Sequence, residues 1–137
     1  MLKIITTIAI FISSLLSAQN VNLTVSVSGL KSDEGVLKVG LYNSEGTFLK
    51  IPYKSIPSQI KDNVATVVFE GIPKGEYAIS SYQDENSNGK LDRNEMGIPS
   101  EAVACSNNAK GYMGPPRYQD AKFNIDKDLK IDLTFNN

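Results

Sequence analysis

The sequence predicts an all-β protein: an antiparallel β-sandwich of six to seven short strands with one long irregular loop. Three observations lead there. Segments of strict apolar–polar alternation recur along the chain. Clusters of Gly, Pro, Asn, Asp and Ser separate them. No helix of any length is visible. Alternation of this kind gives each sheet one buried and one wet face. A closed barrel is the alternative.

Taken in order, the chain opens with Met1-Leu2-Lys3, an uncharged and mostly apolar run from Ile4 to Leu16, and Ser17-Ala18-Gln19. A charged start, an apolar middle and a small-residue end are the pattern of a secretory signal peptide. The run is short for a membrane span. Residues 1–18 are therefore expected to be cleaved, leaving 19–137 as one β-sandwich domain.

Val21, Leu23, Val25 and Val27 alternate with Asn22, Thr24 and Ser26, which predicts a half-buried strand. A turn-rich stretch, 29–35, leads to a second strand from Val36 to Tyr42, and the two are expected to form an antiparallel hairpin. Pro52 and Pro57 forbid a long central strand across 43–62, so an irregular connection with at most an edge strand is expected. Asn63 to Phe69 returns to alternation. A turn over 71–75 hands the chain to a strand over 76–82. Residues 96–119 have no clear period. Ala121, Phe123 and Ile125 then alternate, and Leu129, Ile131, Leu133 and Phe135 form the final strand.

The stretch Asp84 to Glu95 reads DENSNGKLDRNE. Oxygen-bearing side chains fall at loop positions 1, 3, 5, 9 and 12 (Asp84, Asn86, Asn88, Asp92 and Glu95), with Gly89 at the sharp turn of position 6. Lys90, at position 7, can offer its backbone carbonyl. Calcium takes hard oxygen ligands in this spacing, so a structural Ca2+ site is expected. A plain polar turn uses the same residue types but does not need this register. No helix flanks the loop: a strand enters it, and Met96-Gly97-Ile98-Pro99 cannot start one.

Composition removes several classes of function. The chain has no histidine, so triads built on an imidazole base cannot form. Cys105 is the only cysteine, so no internal disulfide is possible, and a small, partly buried thiol is expected. Without residues 1–18, which hold one of the 14 basic groups, the chain carries 13 Lys and Arg against 15 Asp and Glu. That balance offers no basic field for nucleic acid.

The run 82–92, then Gly97-Ile98-Pro99-Ser100-Glu101, Ser106-Asn107-Asn108-Ala109, Gly114-Pro115-Pro116 and Asp120-Ala121-Lys122-Phe123, resembles the exported bacterial proteins grouped as the domain of unknown function 2141 family. The resemblance covers nearly the whole mature chain. It implies an exported protein of a Gram-negative bacterium, periplasmic or secreted, with a small β domain and no assigned activity. The segment 69–77 is similar to a strand–turn–strand step of transthyretin-like and other Ig-like sandwiches.

The expected function is a cell-envelope binding or interaction module stabilised by a calcium loop, and not an enzyme. Its partner would be a protein or a small polar ligand, with no nucleic acid and no membrane span in the mature chain. Glu101, Asn107, Asn108, Tyr112, Arg117, Tyr118 and Asp120 are the candidate ligand or partner surface. The alternatives are a purely structural envelope module, and a small hydrolase using Glu101 and Asp120 as a carboxylate pair.

Overall fold

The computed structural model describes residues 20–135, so the signal-peptide reading lies outside the described residues. Eight strands run in order: β1 (Asn20–Ser28), β2 (Val36–Tyr42), β3 (Lys54–Ser58), β4 (Ala65–Pro73), β5 (Gly75–Asp84), β6 (Val103–Cys105), β7 (Phe123–Ile125) and β8 (Leu129–Thr134). One helical turn, α1 (Tyr118–Ala121), precedes β7. The strands form two sheets, β4-β1-β8 and β3-β2-β5-β6, with β7 pairing the start of β5. Each sheet keeps free edges, so the architecture is an open sandwich and not a barrel.

The alternating apolar residues meet between the sheets. Leu23, Val25, Phe69 and Leu133 from one sheet and Leu37, Val39, Leu41 and Ile79 from the other are all buried. At about 25 cal/mol per Å² of buried apolar surface, this layer is the main stabilising term.

The expected β1–β2 hairpin does not form. β1 pairs β4 antiparallel and β8 in parallel, whereas β2 pairs β3 and β5. The apolar faces of β1 and β2 are both continuous, and two such faces are buried best against each other. Residues 29–35 therefore carry the chain from one layer to the other, with Leu30 buried on the way. The 71–75 segment also changes sheets. It shortens to Lys74 between β4 and β5, and the Tyr77 hydroxyl donates to the Pro73 carbonyl at 2.6 Å across the corner. A tyrosine tied back to upstream backbone is a recurrent corner device in Ig-like sandwiches.

β5 is the organising strand, since β2, β6 and β7 all pair with it. Its inward residues feed the core. Its outer face meets a second cluster formed by Tyr42, Phe48, Ala78, Cys105, Tyr118 and Ala121. There Phe48 packs edge-on to Tyr42 and Tyr118, with ring centroids 5.3 and 5.7 Å away. Both faces of β5 are thus covered, and its C-terminal end delivers Asp84.

Candidate functional site

Asp84 is the last residue of β5 and is only 1% exposed. A buried carboxylate must be hydrogen-bonded or paired. Its Oδ1 accepts the Asn88 amide N–H (3.2 Å) and its Oδ2 that of Gly89 (2.8 Å). Asn86 Oδ1 sits 3.2 Å from the same Asn88 nitrogen, so Asp84 and Asn86 converge on one point of the backbone. Asn88 Oδ1 in turn accepts the Lys90 N–H at 3.1 Å. The loop curls around its own first residue because Gly89 takes φ +80°, where a side chain would be strained. On the other side, Gly35 lies so close that a Cβ there would stand 2.0 Å from the Asp84 carbonyl oxygen.

Asp92 closes the ring. Its two carboxylate oxygens accept the Asn86 and Asn88 side-chain N–H groups, both at 2.7 Å. Four predicted residues, Asp84, Asn86, Asn88 and Asp92, are therefore brought together, and the Lys90 backbone lies within the same turn. Glu95 is not gathered in. It is exposed, at the tip of a turn whose Asn94 Oδ1 accepts the Met96 and Ile98 N–H groups.

Glu101 comes to the loop instead. Its carboxylate accepts the Glu85 N–H (2.8 Å) and the Asp92 N–H (2.9 Å), clamping both ends of the loop. The Ser100 N–H donates to the Asp92 carbonyl alongside. Sequence reasoning placed Glu101 on a ligand surface. Its partners Asp92 and Glu85 lie 9 and 16 residues away, a separation that the spacing within the loop does not reveal. Negative charge accumulates here: the Tyr82 hydroxyl is raised first by burial and then by Asp84, Glu101 and Asp92.

The donor set suits a hard cation only with its amides counted. Among the described residues no three His, Cys, Asp or Glu side chains are grouped so as to hold a metal ion. Asn86 and Asn88 now turn their N–H groups to Asp92. Rotating each amide would turn its oxygen to Asp92 and give up the bonds that the Asn86 and Asn88 Oδ1 atoms now accept from the Asn88 and Lys90 N–H groups.

The other candidate residues are spread over the long segment, and several hold it together. Asn107 donates to the Asp120 and Lys122 carbonyls (3.3 and 2.8 Å). Arg117 pairs with Asp120 at 3.0 Å, exposed on the surface. Tyr118 is buried, with its hydroxyl unpartnered, and is pushed up to about 12 first by burial and then by Glu76. Asn108 lines a shallow depression with Cys105, Asp132 and Thr134. Tyr112 is 90% exposed at the segment's tip. Ser106, which was not singled out, is the central tie: it accepts the Ile79 N–H at 2.9 Å and donates to the Ala121 carbonyl at 2.6 Å. Cys105 is buried beside it, and burial raises its thiol while a Ser80 hydrogen bond partly offsets this.

Among the described residues no helix is long and apolar enough to cross a membrane. Neither a curated protein nor a solved structure matches the chain with significance. The family model described as "Uncharacterized protein conserved in bacteria (DUF2141)" matches residues 25–132, from within β1 to within β8. That span takes in both sheets, the 84–95 loop and the Glu101 clamp, and the chain belongs to the domain of unknown function 2141 family.

Proposed function

We propose that the protein is an exported, non-enzymatic binding or interaction module of the bacterial cell envelope, whose 84–95 loop holds a structural calcium ion. The single observation that carries the metal is the convergence of Asp84, Asn86, Asn88 and Asp92 around a glycine turn. In this reading these four residues and the Lys90 carbonyl supply the oxygens. Glu101 fixes the loop ends, and Glu95 contributes little. Export rests on the signal-like pattern of residues 1–18.

A single loop of this charge is expected to bind in the weak extracellular range, roughly 10⁻⁴ to 10⁻³ M. Calorimetric titration of calcium into the purified protein tests it. One site of that affinity is expected, lost in Asp84→Ala and in Asp92→Ala. Heat of dilution alone from the unaltered protein would contradict the metal reading. Fractionation of the producing cells tests export: the shortened chain belongs outside the cytoplasm.

A further inference from the structure

The segment from Asn107 to Arg117 carries a tip that takes part in neither the core nor the 84–95 loop. Tyr112 and Met113 are 90% and 95% exposed, the two most exposed large apolar side chains among the described residues. A single exposed apolar side chain is ordinary. Two features set this adjacent pair apart.

The first is the backbone that presents them. Gly111 and Gly114 close the turn so tightly that a Cβ on Gly111 would lie 1.7 Å from the Gly114 carbonyl oxygen. Met113 takes φ +57°, a left-handed conformation that a residue other than glycine seldom adopts. Both feet of the turn are tied. Asn107 donates to the Asp120 and Lys122 carbonyls, and Arg117 is paired with Asp120. Pro115-Pro116 stiffens the returning limb. A strained turn on a tied base thus holds two apolar side chains out in water, where they gain nothing for the sandwich.

The second is charge. The chain has 15 acidic residues, yet no Asp or Glu falls between Glu101 and Asp120. Arg117 is balanced by Asp120, whereas Lys110, beside the tip, forms no ion pair among the described residues. The tip can therefore approach an anionic surface without repulsion and with one lysine to favour it. Tyrosine, an apolar ring with a polar end, suits the headgroup boundary of a bilayer, and methionine suits the acyl region beneath it. An apolar pocket of a protein partner would take the same pair, but it would not need the acid-free flank.

We propose that the 110–114 tip inserts Tyr112 and Met113 into the headgroup boundary of an anionic lipid bilayer. The proposal rests on the envelope-module reading for its setting, and not on the metal. One such tip gives weak, reversible attachment.

The chain has no tryptophan, so Met113→Trp places the sole indole at the tip. Tyr112→Trp is a second tip reporter, and Val68→Trp, on the outer face of β4, is the control. Each is titrated with vesicles of phosphatidylethanolamine and phosphatidylglycerol, in chelator so that calcium bridges no lipids. The tip reporters are expected to shift their emission to the blue saturably, and the Val68→Trp emission to stay in place. In the Met113→Trp background, Tyr112→Ser should weaken the partition about tenfold and Lys110→Gln about fivefold. Attachment through residues 1–18 would leave the tip indole in water. No blue shift in either tip reporter, or an equal shift in the control, would overturn the proposal. Calcium binding and export are read separately by calorimetry and fractionation, so their failure and that of the tip give different results.

Discussion

At the scale of single residues, four side chains carry more than their type suggests. Ser106 is completely buried and bridges β5 to the end of α1 through one accepted and one donated hydrogen bond. Ser106→Ala leaves both partners unmet, and urea denaturation should show a loss of about 1–3 kcal/mol. Tyr118 is the reverse case: its hydroxyl is buried without a hydrogen bond of good geometry, although Glu76 lies near enough to raise it. Its folded pKa of about 12 stands above the ordinary 10, so its contribution is complete below pH 10 and is lost as pH climbs towards 12. Tyr118→Phe should keep its stability at neutral pH and resist alkaline unfolding better than the unaltered protein, as circular dichroism across that window would show. Tyr42, Tyr77 and Tyr82 are also raised, each chiefly by burial, so the improvement will be partial. Asn86 and Asn88 offer a test of the proposed metal: calcium is expected to move their side-chain NH₂ resonances as the amides release Asp92.

At the scale of elements, the loop and the segment after it act as one unit. Glu101 grips the Glu85 and Asp92 amides, so the 99–101 step serves as the loop's far wall. Glu101→Gln turns an N–H toward one of those donors. It is expected to cost about 1–3 kcal/mol and to weaken calcium binding. Glu95→Gln, at an exposed turn, should change neither quantity in the same denaturation and calorimetry. The long segment divides in two. Ser106 and Asn107 are structural, whereas Tyr112 and Met113 are 90% and 95% exposed. Removing 106–117 should therefore unfold the domain, while replacing 110–115 with a short glycine linker should leave the melting temperature nearly unchanged.

Most elements were legible in the sequence because alternation encodes a face. The runs in β1, β2, β4 and β8 each mark a buried side, and Pro57 marks the edge position of β3. Pairing was not legible. Two apolar faces say that each is buried, not that they lie in opposite sheets, so β1 and β2 read as a hairpin. β6 and α1 are too short to show a period. The 84–92 half of the candidate site could be read from spacing, since its contacts lie within a few residues. Glu101 could not, because its partners are 9 and 16 residues away.

At the scale of the molecule, two layers of apolar side chains hold a sandwich without disulfides, and a covered central strand presents a buried aspartate at one end. In the proposed function, a cation at that aspartate ties the loop and the Glu101 wall to the sandwich. Thermal melting of the unaltered protein and of Asp84→Ala, each in 10 mM calcium and in chelator, tests this most directly. With a dissociation constant of roughly 10⁻⁴ to 10⁻³ M, calcium should add about 1.4 to 2.7 kcal/mol, or about 5–10 °C, to the unaltered protein. It should add nothing to Asp84→Ala. Superimposable curves for the unaltered protein in calcium and in chelator would contradict it.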